Sequence, residues 1–216
     1  MRRARFKAAP PGAGRAPRAV LLLAVLAGAL SGRAVAAQES DWPCQQRLVP
    51  TLEAGQMWGG PPLDGVAGAE RSPEIVGLAR ELASVELPQA AMEAKVKDFA
   101  GAIAQDQRIA GLSQLFVVSL ADLNLQRDRL IAAIRRYTTR QQQLAARIGD
   151  ETRELDAAQR AASPDATRIA ELQASRDWDL RVHTDRQRSL REVCDQPVRV
   201  EQRAFAVARA IQGELP

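Results

Sequence analysis

The side chains that could do chemistry are few and lie far apart along the chain. The sequence holds two cysteines, Cys44 and Cys194, and one histidine, His183. A zinc site of the Cys/His kind needs about four ligands at close spacing, so these residues do not predict one. A catalytic Cys–His pair needs a free thiolate beside the imidazole, but His183 would lie about 16 Å from Cys194 along a helix.

Other motifs that carry chemistry do not emerge from the sequence. Asp177 and Asp179 form a close pair of carboxylates, but they would lie on adjacent faces of a helix. The GGPP stretch at residues 59–62 is typical of a turn and not of a phosphate-binding loop. We therefore expect no catalytic residues, no cofactor and no bound metal.

The N-terminal 36 residues have the pattern of a secretory signal peptide. An arginine-rich start without acidic residues precedes a 12-residue apolar run at residues 19–30, and Ala34 and Ala36 fit a small-residue cleavage site. We predict a Sec-type signal peptide, cleaved near Ala36, and a periplasmic or otherwise exported protein. An uncleaved anchor is the alternative, although the run is shorter than the roughly 20 residues that span a bilayer.

Removal of this segment changes the sign of the net charge. Residues 1–36 contain seven of the 30 Lys and Arg residues and none of the 26 Asp and Glu residues. The remaining chain has 23 basic and 26 acidic residues, a net charge of −3. A nucleic-acid-binding domain needs a basic surface, so we expect no nucleic-acid partner. We also expect membrane contact only through the signal peptide before its cleavage.

Export gives the two cysteines a structural interpretation. Two cysteines in a protein of an oxidising compartment predict one disulfide, between Cys44 and Cys194. Intermolecular pairing and free thiols are the alternatives. An intrachain bond would tie an irregular N-terminal segment to a helix near the other end of the chain.

The elements that must hold these residues are helical. Residues 37–71 are rich in Trp, Pro and Gly and predict an irregular segment. Residues 72–105 predict two short helices at the base of the fold, and Ser72 and Pro73 are suited to begin the first. Residues 106–216 predict a long helical hairpin with its turn near residues 163–165, where the stretch Ser163-Pro164-Asp165 can stop the first helix and cap the second.

Heptad spacing predicts how the hairpin packs. Apolar residues recur at steps of three and four on both long helices, which is typical of an antiparallel coiled coil. An ordinary helical bundle with accidental heptads is the alternative. The predicted seam contains Leu130, Ile134, Tyr137, Leu144, Ile148, Leu155, Ile169, Leu172, Leu180 and Leu190, with polar or charged residues such as Gln141, Arg176 and His183 between them. The predicted fold is all-α: this hairpin on a small helical base.

A second surface could form from the irregular segment. Its residues are of types that often bind partners, namely Trp42, Met57, Trp58, Pro61 and Pro62. The alternative is that they cap the helical base.

The predicted function is that of a non-enzymatic protein-binding scaffold or adaptor of the cell envelope. Its partners would be other envelope proteins, with a homo-oligomer as a further arrangement. A holdase chaperone for unfolded envelope proteins is the second hypothesis, and an enzyme of unknown class is the third. In outline, the hairpin is similar to the helical arms of exported chaperones and to the hairpin adaptors of efflux assemblies. The β-rich parts of both classes are not found in the sequence, so no family is assigned.

Overall fold

The fold is known from a computed structural model that describes residues 42–66 and 68–216. Within these residues there is a 3₁₀ turn at Ala54–Gln56, followed by four helices and no strand. The helices are α1 (Pro73–Leu82), α2 (Gln89–Ala102), α3 (Arg108–Gln159) and α4 (Ala166–Gln212). The prediction of an all-α fold is confirmed. The predicted signal peptide, residues 1–36, lies outside the described residues.

Local sequence signals begin two of the helices. The hydroxyl of Ser72 accepts a hydrogen bond from the Ile75 amide at 3.2 Å, and Pro73 takes the first position of α1. The carboxylate of Asp165 accepts hydrogen bonds from the Thr167 and Arg168 amides at 2.9 and 3.1 Å. Ser72 is the predicted cap, and Asp165 lies in the three-residue stretch predicted to cap the second long helix.

The two long helices pack against each other in opposite directions. They contain 52 and 47 residues, so each extends about 70 to 78 Å at 1.5 Å per residue. Contacts between them pair rising positions on one helix with falling positions on the other: Tyr137 with Arg186, Arg147 with Asp179, Glu151 with Ser175, and Glu154 with Arg168. We call residues 128–196 of this pair the arm, and residues 42–127 and 197–216 the base.

Most of the hydrophobic core lies in the base. Residues from all four helices meet there, because α1 packs on α3 and α2 packs on α4. The core includes Ile75, Leu82, Met92, Val96, Phe99, Leu112, Leu115, Phe116, Val207 and Ile211. By length and composition, α3 is apolar enough to span a membrane. Its buried Leu112, Leu115 and Phe116 contribute to that composition, and here they pack against other helices.

Polar side chains of the long helices hold the irregular N-terminal segment in place. The side-chain amide of Asn124 bonds to both the backbone amide and the carbonyl of Leu52, at 2.8 and 3.0 Å. Gln212 bonds in the same way to the Gly59 amide and the Met57 carbonyl, at 2.7 and 3.0 Å. A segment without regular structure must find partners for its backbone groups elsewhere, and these helices supply them.

A buried arginine joins the segment to both long helices. Arg127 is only 4% exposed, and its guanidinium donates to the carbonyls of Val49 and Pro197 at 2.8 and 2.7 Å. Glu201 lies 3.7 Å away and balances part of its charge. Burial lowers the pKa of Arg127 from its usual value, and the charges of Glu201 and then Asp128 oppose that shift.

The predicted seam residues differ in their burial. Ile134, Leu144, Leu155 and Leu172 are buried, and Leu130, Tyr137, Ile148, Ile169 and Leu190 are partly buried. Leu180 departs from the prediction, because it is 42% exposed while its neighbour Asp179 is buried.

The departure at Leu180 has a simple geometric cause. The predicted pattern took two successive four-residue steps, from Leu172 to Arg176 to Leu180. A strict alternation of four and three reaches Asp179 instead, and it continues through His183, Arg186, Leu190, Val193 and Pro197 to Ile211. The carboxylate of Asp179 tolerates the inward position because Arg147 of the facing helix binds it.

Candidate functional site

Two of the residues predicted as a partner surface, Met57 and Trp58, lie in the packing of the base. The Trp58 indole stacks on Phe116 with ring centroids 4.4 Å apart and planes 13° apart. Its Nε1 donates to the Pro61 carbonyl at 2.8 Å, which closes the turn that follows. Met57 packs against the same core, whereas Pro62 is exposed. These contacts favour the capping interpretation for Met57 and Trp58.

Trp42 covers the disulfide on the arm. Cys44 and Cys194 are bonded, with their Cα atoms 5.5 Å apart, which confirms the predicted pairing. Trp42 packs on the cluster formed by this disulfide and Ile134, and its Nε1 donates to the Gln46 carbonyl at 2.8 Å. The oxidised Cys194 provides no thiolate for His183.

The third tryptophan is in a different environment. Trp178 of α4 is 63% exposed, the highest value among the large apolar residues that the structure describes as exposed. It borders a shallow groove of about 500 Å³ between the two long helices. We call five of its lining residues, Arg140, Arg147, Trp178, Val182 and Arg186, the arginine–tryptophan face; the others are Gln143, Leu144 and Asp179.

Helix periodicity explains why these residues share one face. Trp178, Val182 and Arg186 follow each other at steps of four along α4. Arg140 and Arg147 are one heptad apart on α3, so they stand on the same side of that helix. The antiparallel packing then brings both rows to the same groove.

The face is electropositive. Arg147 donates a hydrogen bond to the buried carboxylate of Asp179, and this bond and the carboxylate charge raise the pKa of Arg147. Arg140 and Arg186 form no ion pair with any residue in the described part of the chain. Residues 129–149 contain five arginines and no acidic residue. Two guanidiniums are therefore available to an external acid.

The opposite side of the arm holds a smaller cavity. Its volume is about 240 Å³, and its lining includes Tyr137, Gln141, His183, Gln187 and Leu190. Gln141 is 6% exposed, and neither its side-chain nitrogen nor its oxygen has a hydrogen-bond partner among the described residues. Burial of an amide without a hydrogen-bond partner costs free energy, so the contact between the two helices is less stable at the level of Gln141.

Trp178 is not among the site residues predicted from the sequence, because the pattern around it shows only the two carboxylates of Asp177 and Asp179. A usable signal was present: Trp178 is a large apolar residue that stands between two acidic residues and outside the predicted seam. An apolar residue outside the heptad positions of a long helix pair points to a surface contact.

Neither a metal centre nor a known relative points to another site. Among residues 42–66 and 68–216, no group of three or more His, Cys, Asp or Glu side chains could hold a metal ion. No protein-family model matches the chain, and neither the curated proteins nor the solved structures contain a significant match. The geometry of the arm is therefore the basis for a functional proposal.

Proposed function

We propose that this protein is an exported protein-binding scaffold whose arm is an antiparallel coiled-coil hairpin. In this proposal, the arginine–tryptophan face binds an acidic segment of a partner protein. The observation that carries it is the 63% exposure of Trp178 between arginines that lack ion pairs in the described chain, while Trp42 and Trp58 are used in packing.

The chemistry of the face supports this choice of partner. Tryptophan and arginine are the residue types most enriched among the energetic hot spots of protein interfaces. A guanidinium binds a carboxylate through two parallel hydrogen bonds, and it also stacks on aromatic rings. Arg140 and Arg186 flank Trp178, so an acidic segment that carries an apolar residue complements both features.

The burial pattern supports the coiled-coil part of the proposal. Most of the positions reached by alternating steps of four and three, from Leu172 to Ile211, are buried or partly buried. A heptad pattern of this length is typical of helices that pack side by side along their whole length.

Export is supported by two independent features. The N-terminal 36 residues have the signal-peptide pattern, and the chain holds a disulfide between Cys44 and Cys194. Disulfides persist in oxidising compartments and are rare in the cytosol. A fusion of residues 1–40 to a reporter that is active only after export tests this part. A reporter that stays inactive would contradict it.

The binding face is tested with a matched pair of variants. Trp178→Ala removes the exposed ring, and Leu180→Ala removes a second exposed apolar side chain, two residues away on α4. We expect proteins captured by the mature wild-type chain from envelope extracts to be lost with Trp178→Ala and kept with Leu180→Ala. For a captured protein, its acidic segment is then titrated as a peptide, and we expect at least tenfold weaker binding to Trp178→Ala.

Salt distinguishes a charged contact from an apolar one. Binding to the arginine–tryptophan face should weaken as ionic strength rises, because exposed charges are screened within about 10 Å at 0.1 M salt. Captured partners that are the same for both variants, or peptide binding that does not change with salt, would contradict the proposal.

A holdase chaperone is the second candidate, and the cavity beside Gln141 favours it. A helix pair with an unpartnered buried amide opens more easily at that level, and opening would expose Ile134, Leu144 and Leu190 to an unfolded client. The test is suppression of aggregation for several unrelated client proteins. Suppression by the wild-type chain that is lost when a cysteine pair crosslinks α3 to α4 would favour this function over the scaffold.

A further inference from the structure

The tip of the arm carries the opposite charge from its middle. Residues 150–175, which surround the turn, contain six acidic residues and three arginines, whereas residues 129–149 and 176–196, which form the middle of the arm, contain ten arginines and five acidic residues. Glu154 and Glu171 lie on opposite helices at the tip and are both within 3.6 Å of Arg168. One arginine therefore lies between two carboxylates, and a net negative charge remains.

The acidic tip and the arginine–tryptophan face lie on the same side of the arm. Glu154 follows Arg147 by one heptad on α3, and Glu171 precedes Trp178 by one heptad on α4. Residues one heptad apart stand on the same side of a helix. The face is thus continuous, with an acidic half towards the turn and a basic half towards the base.

The two halves have similar lengths. Measured from the turn at 1.5 Å per residue, the acidic half covers about the first 20 Å. The basic half, from Arg147 to the level of Arg136, covers about the next 20 Å. Trp178 lies close to the boundary between them, at about 23 Å from the turn.

We propose that the acidic partner of the arginine–tryptophan face is the tip of a second copy of this chain. This inference rests on the proposed function, because it names the occupant of the same face. Two arms laid face to face in opposite directions place each acidic half on the other copy's basic half. The twofold axis then passes near the boundary, where the two Trp178 rings meet.

The symmetry of this arrangement makes both contacts form at once. In a twofold dimer the same surface is used by both copies, so a face that is acidic at one end and basic at the other complements itself. The same face laid in parallel would place like charges opposite each other, which is unfavourable. The charge pattern therefore selects the antiparallel arrangement.

The overlap is large enough for a specific dimer. Two helices side by side present a face about 20 Å wide, and the overlap is about 40 Å long. Each copy therefore buries about 800 Å², which is the usual size of one side of a stable interface. Trp178 provides the apolar centre, and the charged residues form the polar surroundings that such interfaces have.

The test is a charge exchange between two variants of the full mature chain. In the first variant, Arg140→Glu with Arg186→Glu makes the whole face acidic. In the second, Glu154→Arg with Glu171→Arg makes it basic. All four residues are exposed, so circular dichroism should match the wild type. Thermal unfolding is compared at a salt concentration at which every protein is monomeric, and the second variant should lose some stability because both of its replaced carboxylates pair with Arg168. Sedimentation velocity then gives the mass of each protein alone and of the two mixed.

We expect the wild type to be a dimer that dissociates as salt rises, and each variant alone to be a monomer. An equal mixture of the two variants should form a mixed dimer, because each acidic half again meets a basic one. Trp178→Ala should weaken the wild-type dimer at least tenfold, and Leu180→Ala should leave it unchanged.

Two results would overturn the inference: a wild type that stays monomeric across the micromolar range, or a dimer that both charge variants retain. Binding of a partner peptide separates these results from a failure of the proposed function. If the wild type is monomeric but loses the peptide with Trp178→Ala, the face binds another protein and only the second-copy inference fails. If Trp178→Ala affects neither the dimer nor the peptide, both proposals fail.

Discussion

The base and the arm use tryptophan in opposite ways. In the base, Trp58 lies flat on Phe116 and donates its indole hydrogen to a backbone carbonyl. On the arm, Trp178 is 63% exposed and stands at the edge of a groove. The same residue type therefore contributes to packing in one region and is exposed to solvent in the other, where we propose that it binds a partner.

Buried polar groups show the same difference. Arg127, at the boundary between the two regions, donates to two backbone carbonyls and lies near Glu201. Gln141, in the middle of the arm, has no partner for either of its amide atoms among the described residues. Unpartnered buried atoms occur in both regions, at Ser113 and Ser119 in the base and at Gln141 and Glu151 in the arm, so this difference concerns Arg127 and Gln141 only.

Among the changes that test this difference between base and arm, removal of the disulfide is expected to change the free energy of unfolding most. Cys44 and Cys194 are 150 residues apart, and the chain-entropy estimate for a loop of that size is about 5 kcal/mol. Cys44→Ser combined with Cys194→Ser should lower the free energy of unfolding by up to this amount, measured by urea titration. A thiol reductant should lower the free energy of unfolding of the wild type to that of the double variant. It should leave the free energy of unfolding of the double variant unchanged. Equal stability of oxidised and reduced wild type would show that the loop is already restrained in the unfolded chain.

The second prediction compares the two tryptophans directly. Trp58→Ala removes the stack on Phe116 and should lower the free energy of unfolding by about 3 kcal/mol. Trp178→Ala removes an exposed ring and should change it by no more than about 0.5 kcal/mol at a salt concentration at which the proposed dimer is dissociated. Thermal and urea unfolding of both variants measure the difference. If Trp178→Ala destabilised the chain as much as Trp58→Ala, the assignment of Trp178 to binding would be wrong.

A glycine beside Trp58 offers an independent check of the same packing. A Cβ atom at Gly60 would lie 2.6 Å from Trp58 Cζ2 and 2.9 Å from Leu215 Cδ1. Gly60→Ala should therefore displace the Trp58 ring and cause part of the loss of stability that we expect for Trp58→Ala. Gly65→Ala is the matched control, because a Cβ atom there meets nothing within 4 Å. Equal stability of both glycine variants would indicate that the turn adjusts freely.

The boundary between base and arm is tested at Arg127. Arg127→Met keeps most of the side-chain volume but leaves the carbonyls of Val49 and Pro197 without their donor. We expect a loss of about 2 kcal/mol, since each buried acceptor left unpaired costs free energy and the removal of a desolvated cation returns part of it. Arg129→Met, on the exposed side of the same helix, is the control. Equal stability of the two variants would contradict the role given to Arg127.

These regions also differ in how well the sequence predicts them. Helix boundaries follow from local signals, so the caps at Ser72 and Asp165 and the pairing of the cysteines agree with expectation. The seam also follows from periodicity as far as Leu172. It fails at Leu180, because a buried Asp179 is acceptable only when Arg147 on the facing helix binds it. A single helix cannot show that partner.

The position of the N-terminal segment could not be predicted for a similar reason. It is held by Asn124, Arg127 and Gln212, which reach backbone groups between 72 and 155 residues away in sequence. Such bonds leave no periodic trace, because the sequence of each helix shows a polar residue but not the backbone group that it binds. The same limit applies to Trp178, whose importance depends on the arginines that α3 brings beside it.

The smallest predicted effect concerns Gln141, and it tests whether the middle of the arm is held loosely. Gln141→Leu replaces an unpartnered buried amide with an apolar side chain of similar length. Because the desolvation cost of the amide disappears, we expect the variant to be more stable by about 1 kcal/mol. Hydrogen exchange should slow most for the backbone amides of the arm near Gln141. The control is Gln142→Leu at the exposed neighbouring position, which should change neither the stability nor the exchange rates. A destabilised Gln141→Leu chain would mean that the amide is satisfied in solution, and the arm would then be as well packed at this level as the base.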